Sequence, residues 1–330
     1  MTTAPIVRAI DIGYGNTKFT VDDRLQTRLF PSLAPRAKSQ IDSRGFALRE
    51  RRTVPVHVDG VVFEVGPDTI LFDEVPVLHK DYVETPEYRA LMYGAFDSMQ
   101  VRRIDLLVLG LPVHLHASKA ARLQELFAGT HTIRPGLAIE IDDVAVMPQP
   151  LGGLIAHNEG NTNWEITRDR TVLLVDPGYF TFDWMVTRNM QEIPGLNGGV
   201  ECGVSDYLKA ILDAINAEIG ETYSNLRRLD HALRAGQSLA IGGRHIDPRT
   251  FRHAGAGVID RAMKALRNSI RSVDEIDSVC LVGGGAEYFR EALASTFRNV
   301  AIDALADPVC ANARGFHMMG EAFLSSGAAA

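Results

Sequence analysis

With 330 residues, of which 46% are hydrophobic and 23% charged, the chain is too long for one ordinary hydrophobic core, and two domains or one divided domain are expected. Its net charge of -7 argues against direct nucleic-acid binding, which needs a basic surface, although DNA could still be reached through a partner. No apolar run approaches the roughly 20 residues of a membrane span, no signal-peptide pattern is visible, and the three cysteines are unpatterned, so we expect a reduced cytoplasmic protein.

The first predicted elements form a strand hairpin around a glycine turn. "IVRAIDIG" predicts a buried strand that ends in an acid and a glycine, and "NTKFTVDD" continues it after the turn. Residues 24–60 predict a variable loop followed by short strands such as "VPVHVDG" and "VVFEVG". Its basic run "RERR" is short, and in an acidic chain it favours a solvated loop or a subunit contact over DNA binding.

Strands and helices then alternate. "TPEYRALMYGAFDSM" predicts a helix, "IDLLVLGLP" a buried strand, "SKAARLQELFAG" a helix closed by Gly129, "GLAIEIDDVAVMPQP" strands, and "LGGLIAHNEG" a helix. His114 and His116 are predicted at a strand end, where a surface pair is favoured over a metal site because no third ligand is apparent.

The second half repeats this order. "LLVDPGYFTFDWMV" predicts a strand, a turn and a strand. Amphipathic helices follow in "GVSDYLKAILDAINAEIG" and "VIDRAMKALRNSIRSV", and "DSVCLVGGGAEYFREALASTF" predicts a strand, a glycine turn and a helix. "ANARGFHMMGEAFL" predicts a closing helix before a frayed tail. The pattern indicates an α/β protein with two related halves.

A short internal repeat supports two related halves. "AIDIGYGNTKFTV" and "LVDPGYFTFDWMV" share an apolar pair, an acid (Asp11, Asp176), a glycine (Gly13, Gly178) and a tyrosine before the next strand. A tight glycine turn gathers backbone N–H groups that bind phosphate oxygens, and a carboxylate at a strand end can hold Mg²⁺ through its waters. We therefore expect a phosphate chain in a cleft between the halves. "LVGGGAEYF" is a third glycine turn, against which an adenine ring fits.

These three stretches resemble the phosphate-1, phosphate-2 and adenosine motifs of the actin-like ATPase superfamily. "VMPQPLGGLIAH" and "LNGGVECGVSDYLKAI" look like the connecting motif and the strand-to-helix passage of the ParM (StbA) plasmid-segregation actins, and the order holds over nearly the whole chain. The resemblance implies an actin-like (ribonuclease H-like) α/β fold, with domain I at 1–168 plus 306–330, domain II at 169–305, and a nucleotide cleft between them.

The resemblance also implies the site. Asp11 and Asp176 would flank Mg²⁺, and Gln149 would orient the attacking water rather than take its proton. ATP or GTP would contact the two phosphate loops and the adenosine turn, through Gly13, Tyr14, Gly15, Asn16, Thr17, Lys18, Gly178, Tyr179, Thr181, Gly283, Gly284 and Gly285. A helix cap is the alternative role for Gln149, and a plain hairpin turn is the alternative for "DIGYGNTK".

Two features depart from the pattern or stay outside it. Tyr179 and Phe180 stand where ParM-like actins carry small or hydroxylated residues, which implies slow hydrolysis. Asp183 lies in the middle of the following strand, where a solvated or buried structural acid is as reasonable as any nucleotide role.

Three functions remain open at this stage. The first is an ATPase that assembles head to tail into filaments and meets DNA through a DNA-binding adaptor protein of a plasmid partition or PRTRC system. The second is a non-polymerising nucleotide switch that recruits other proteins. The third is a small-molecule kinase or exopolyphosphatase of the same fold, for which no acceptor-facing carboxylate can be singled out.

Overall fold

The computed structural model describes residues 4–37, 51–71, 81–159, 170–270, 272–305 and 307–326. The chain divides into two compact units, one formed by residues 1–167 with 305–330 and the other by 168–304. The units are both of α/β type and are described one at a time. None of the helices in the described part of the chain has the length and apolar character that a membrane crossing needs.

The first unit is built on a six-stranded sheet. Its elements are β1 (Val7–Ile12), β2 (Asn16–Thr20), β3 (Thr27–Pro31), β4 (Val54–Val58), β5 (Val61–Val65), α1 (Pro86–Met99), β6 (Arg103–Leu111), α2 (Val113–Phe127), β7 (Gly129–Arg134), β8 (Leu137–Pro148), α3 (Gln149–Glu159) and α8 (Ala311–Ser325). The sheet order is β3-β2-β1-β6-β8-β7, with β4 and β5 as a separate hairpin.

The middle of this sheet is parallel, because β6 pairs parallel with both β1 and β8. All six residues of β1 are buried, as expected for a strand covered on both faces. The antiparallel hairpin β1–β2 was predicted from its glycine turn, and the structure confirms it. Thr85 caps α1 by accepting a hydrogen bond from the N–H of Tyr88, with Pro86 in the first turn as predicted.

The second unit contains a five-stranded sheet. Its elements are β9 (Thr171–Pro177), β10 (Phe182–Arg188), β11 (Gln191–Glu192), β12 (Gly198–Val200), α4 (Val204–Ile219), α5 (Leu226–Ala235), β13 (Leu239–Ile241), β14 (Arg244–Ile246), α6 (Ala256–Ser269), β15 (Ser278–Leu281), α7 (Ala286–Thr296) and β16 (Ala301–Ala304). The sheet order is β11-β10-β9-β15-β16, with β12 paired to β10. The predicted hairpin of β9 and β10 is confirmed, and so is the end of α4 at Gly220, which has a left-handed conformation.

Two sequence predictions of local structure need correction. Residues 27–31 were expected in a loop but form the short strand β3. Its exposed Arg28 and Leu29 interrupt the apolar pattern that would have predicted a strand, and its pairing with β2 depends on the tertiary fold. His114 and His116 were placed at a strand end, whereas β6 ends at Leu111 and both histidines lie in the first turn of α2.

The helix α5 was missed although it carries a local signal. Its N-cap Asn225 accepts a hydrogen bond from the N–H of Arg228, and its C-cap Gly236 is left-handed. The helix expected over 258–273 begins earlier and ends at Ser269. The predicted frayed tail falls largely outside the described residues, which end at 326.

The helices α3 and α8 cross at two glycines. A Cβ atom added at Gly315 would lie 1.8 Å from the carbonyl oxygen of Gly152, and one added at Gly152 would lie 2.5 Å from the carbonyl oxygen of Asn312. The two backbones therefore approach more closely than any other residue would permit. This crossing fixes the start of α3, where Gln149 is located.

His317 lies on α8, which packs against β1 and β2, and its side chain is fully buried. Its Nδ1 lies 2.8 Å from Oγ1 of Thr20, and its Nε2 lies 3.4 Å from a carboxylate oxygen of Glu321. Burial lowers the pKa of His317, and the positive charge of Arg8 lowers it further, whereas Glu321 and the more distant Asp23 act in the opposite direction.

We expect stability to fall as the pH drops below about 6.5, because the unfolded chain then takes up a proton that folded His317 resists. His317→Gln should flatten this pH dependence. His131, whose pKa is also lowered by burial, is present in both proteins, so its contribution cancels when their pH dependences are compared. Thermal unfolding midpoints of both proteins at a series of pH values measure the effect, and equal slopes would contradict the prediction.

Candidate functional site

The first predicted acid, Asp11, lies in β1 and is 1% exposed. Its cross-strand partner in β2 is Lys18, whose Nζ donates to Oδ2 of Asp11 over 2.9 Å. The Nε2 of Gln149 donates to Oδ1 of the same carboxylate over 2.7 Å. Asp11, Lys18 and Gln149 were predicted separately from the sequence, and Gln149 lies more than 130 positions after the other two. In the structure they form one buried cluster.

The amide of Gln149 is oriented by this cluster. An ionised carboxylate only accepts hydrogen bonds, so the NH₂ end of the amide must face Asp11. The Oε1 of Gln149 is then directed away from Asp11, where it can accept a hydrogen bond from water. This arrangement suits a residue that orients water, and the alternative role as a helix cap stays open, because a cap would use the same Oε1 as its acceptor.

The turn between β1 and β2 is the first predicted phosphate loop. The N–H of Gly13 donates to the carbonyl oxygen of Asn16 over 3.1 Å and closes the turn. Ser32, directly after β3, was not among the predicted residues, yet it bonds the loop from behind through both its backbone and its side chain. Thr17 was expected to contact phosphate, but its side chain is fully buried and its hydroxyl lies 3.0 Å from that of Ser32.

The second predicted acid, Asp176, lies in β9 and is 8% exposed. Asp183 is its direct partner across the β9–β10 hairpin and is 2% exposed. Directly opposed residues of a strand pair place their side chains on the same face, with Cβ atoms about 5 Å apart. Asp183 is therefore a buried neighbour of Asp176, and the register of the predicted hairpin was the signal that could have found it.

The second phosphate loop is held from behind by a helix. The N–H of Gly178 donates to the carbonyl oxygen of Thr181 over 2.8 Å, and the carbonyl oxygens of Gly178 and Tyr179 accept from the first two N–H groups of α4, those of Val204 and Ser205. In a trans peptide the C=O and N–H point in opposite directions. The N–H groups of the two residues after these carbonyls, Tyr179 and Phe180, are therefore directed away from α4.

The third glycine turn packs directly onto this loop. Gly283 has a φ of +77°, and a Cβ atom there would lie 2.0 Å from Oδ1 of Asp176. The N–H of Gly285 donates to the carbonyl oxygen of Pro177 over 2.7 Å. Only glycine fits at position 283, and the turn 283–285 therefore lies directly against Asp176 within the second unit.

The two aromatic residues of the loops pack in different ways. Tyr14 stacks on Tyr82 in the first unit, with ring centroids 4.9 Å apart. Tyr179 is half-buried against the core of the second unit, and burial raises its pKa in the presence of Arg227 and Asp230 of α5. The Tyr179 ring thus packs beside α5. The loop has this large ring at the position where a small hydroxylated side chain was expected.

Elsewhere in the second unit, a cavity of about 990 Å³ lies between α6 and α7. Its lining carries basic residues such as Lys264 and Arg267 on α6 and acidic residues such as Glu287 and Glu291 on α7. None of the glycines 283–285 lines it, but Glu287 and Tyr288 of the "LVGGGAEYF" stretch do, so the cavity adjoins the helix that follows the predicted adenosine turn.

The described residues contain no group of three or more His, Cys, Asp or Glu side chains placed to hold a metal ion by themselves. Magnesium is usually bound by one or two carboxylates together with waters and phosphate oxygens. The buried carboxylates of Asp11 and Asp176, each beside a glycine loop, are the kind of ligand that Mg²⁺ with a bound nucleotide requires. The imidazole of His116 instead contacts the carbonyl oxygen of Val146, and Arg52, from the "RERR" run, pairs with Asp68.

The chain matches two models of actin-related domains. The model of the N-terminal domain of actin-like proteins matches residues 9–152, and that of the C-terminal domain of the archaeal MreB-like actin homologue matches residues 174–295. A search of the curated proteins found no match.

The fold is similar to solved actin homologues. The archaeal actin homologue Ta0583 superposes with a TM-score of 0.79 and 19% identity, over 96% of this chain and 99% of that one. Its complex with ADP gives a TM-score of 0.76 at 19% identity and the same coverage. A 15-stranded ParM filament from Clostridium botulinum gives 0.77 and 17%, over 97% of this chain and 100% of that one.

Proposed function

This chain belongs to the actin-like proteins, and from that membership we propose that it binds and hydrolyses ATP, or GTP, with Mg²⁺, and that the nucleotide controls its assembly into filaments. The observation that carries the proposal is the buried cluster of Asp11, Lys18 and Gln149 beside a glycine turn. A buried carboxylate with a lysine and an amide is costly for a purely structural role, because hydrophobic residues of similar volume fill such a place at least as well.

Each residue of the cluster then has a chemical task. In the proposed site Asp11 and Asp176 would hold the metal, Lys18 would contact a phosphate oxygen, and the Oε1 of Gln149 would accept a hydrogen bond from the attacking water. The backbone N–H groups of the two glycine loops bind the phosphates. When bound, Mg²⁺ neutralises charge on the phosphate oxygens and so stabilises the transition state.

Assembly and partners follow from the same family. Solved relatives include a ParM filament from Clostridium botulinum, which supports self-assembly of this chain by head-to-tail contacts. We propose that the filament moves plasmid DNA through a DNA-binding adaptor protein of a plasmid partition or PRTRC system. The net charge of -7 supports an adaptor over direct contact between this chain and DNA.

The test measures phosphate release and sedimentation together. Wild-type protein is incubated with ATP and Mg²⁺, with GTP and Mg²⁺, or without nucleotide, and is then centrifuged at several protein concentrations. We expect nucleotide-dependent polymer in the pellet and slow release of phosphate, and we expect Asp176→Ala to lose hydrolysis. Unchanged turnover in Asp176→Ala would overturn the site, and no nucleotide-dependent pellet at any concentration would overturn assembly.

A non-polymerising switch is the second candidate, favoured by the aromatic pair at the second loop. Tyr179 packs beside α5, and its neighbour Phe180 is half-buried, so neither places a small hydroxylated side chain in the loop. Tight ATP binding with negligible turnover and a monomeric sedimentation profile would establish this candidate over the filament. A small-molecule kinase would be revealed only by phosphate transfer to an acceptor such as a sugar.

A further inference from the structure

Ser32 makes two hydrogen bonds to the first predicted phosphate loop, one through its backbone N–H and one through its side chain. It follows β3 directly and is 4% exposed. Its backbone N–H donates to the carbonyl oxygen of Gly15 over 3.0 Å, and its Oγ donates to the carbonyl oxygen of Gly13 over 2.6 Å. One residue therefore fixes two peptide groups of the loop.

The hydroxyl of Ser32 both donates and accepts. A serine hydroxyl has one proton and two acceptor sites. Its proton goes to the Gly13 carbonyl, which can only accept, so the hydroxyl of Thr17, which lies 3.0 Å from that of Ser32, must donate to it. The direction of both side-chain hydrogen bonds of Ser32 is thereby determined.

These bonds determine where the N–H groups of the loop point. Because a trans peptide directs its C=O and N–H to opposite sides, holding the Gly13 carbonyl toward Ser32 directs the Tyr14 N–H away from it. The bond to the Gly15 carbonyl does the same for the N–H of Asn16. The second loop is held in the same way by the N-terminus of α4, so both loops have their carbonyls fixed from behind.

An aromatic stack holds the same loop at a second place. Tyr82 is buried, and Tyr14 of the loop stacks on its ring with centroids 4.9 Å apart. Tyr82 also meets Tyr88 edge to face, with ring centroids 5.3 Å apart. The loop is therefore held at two places. Its Tyr14 packs on Tyr82, and its two glycine carbonyls accept hydrogen bonds from Ser32.

We propose that Ser32 is a positioning residue of the nucleotide site, which holds the Gly13–Thr17 loop in the conformation that binds phosphate, with the hydroxyl of Thr17 as its hydrogen-bond donor. This inference rests on the proposed nucleotide binding. Ser32 touches neither metal nor phosphate in this role. It acts through the peptide groups of the loop, and its loss lowers nucleotide affinity by leaving those groups free to rotate.

The experiment titrates the fluorescent nucleotide mant-ATP with Mg²⁺ into wild type and variants. Ser32→Ala removes the hydroxyl and is expected to raise the Kd about tenfold. Thr17→Val keeps the shape of a fully buried side chain and removes the hydroxyl that donates to Ser32, with an expected rise of about threefold. In steady-state hydrolysis, the KM for ATP should rise by the same factors while kcat changes less.

The matched control is Thr69→Val. The side chain of Thr69 is as buried as that of Ser32, and its hydroxyl donates to the carbonyl oxygen of Gly66 over 2.8 Å, outside the phosphate loop. Its loss should lower the melting temperature by an amount similar to that of Ser32→Ala and leave the Kd unchanged. A change that acted only through stability would shift the Kd of both variants equally and would overturn the inference.

The outcomes separate the two proposals. If wild type does not bind mant-ATP, the proposed nucleotide function fails. If wild type binds and both Ser32→Ala and Thr17→Val keep its Kd, the positioning role fails while nucleotide binding stands. If Ser32→Ala does not fold, Thr17→Val alone decides, because it removes one hydroxyl and keeps the shape of the side chain.

Discussion

Asp11→Asn is expected to lower the free energy of unfolding by about 3 kcal/mol and to reduce nucleotide hydrolysis roughly 100-fold. The substitution keeps the shape of the side chain. It leaves the ammonium of Lys18, whose side chain is 15% exposed, facing an amide in place of its 2.9 Å carboxylate partner. Breaking one member of a buried ion pair leaves an uncompensated charge, which costs more than the pair contributed.

Two effects are mixed in that variant, and a double variant separates them. Asp11→Asn with Lys18→Met removes the ammonium that has lost its carboxylate partner Asp11 while keeping a side chain of similar length, so most of the lost stability should return. Hydrolysis should stay low, because the metal-holding carboxylate is still absent. Urea unfolding and phosphate release on the four proteins of this cycle give the coupling energy. If the double variant regained wild-type hydrolysis, Asp11 would have only a structural role.

Two residues of this cluster, Asp11 and Lys18, were predictable because they follow a local rule. Asp11 and Lys18 flank a glycine turn in a hairpin, and cross-strand pairing of residues around such a turn follows from its length alone. Gln149 required the family resemblance, since no local pattern relates it to Asp11 over 138 positions. The strand orders of both sheets could not be predicted from the sequence either, because they depend on which strands pair in the tertiary fold.

The missed residues share a physical reason. Ser32 lies after a five-residue strand with two exposed side chains, so its region resembles a loop, and its role arises only from the pairing of β3 with β2. Asp183 was visible in the sequence but needed the register of β9 and β10 to become a neighbour of Asp176. Tyr179 was noted as a departure, and the structure adds that its ring packs beside Arg227.

Gly315→Ala is expected to destabilise the first unit by more than about 3 kcal/mol, at the upper end of overpacking costs. The new Cβ would lie 1.8 Å from the carbonyl oxygen of Gly152, which is backbone of α3 and cannot rotate away. The helices α3 and α8 would have to separate along their crossing. Since α3 begins at Gln149, the separation should also loosen the bond between Gln149 and Asp11 and lower hydrolysis.

Gly257→Ala is the control that isolates the steric cause. Gly257 also lies in a helix, α6, and a Cβ atom there would meet no atom within 4 Å. Alanine is favoured over glycine in a helix by up to about 1 kcal/mol, so this variant should gain stability. Both substitutions have the same intrinsic helix preference, and only the contact at Gly152 distinguishes them. A Gly315→Ala protein as stable as wild type in urea would show that the two helices can move apart at little cost, and the position of Gln149 would then not depend on their crossing.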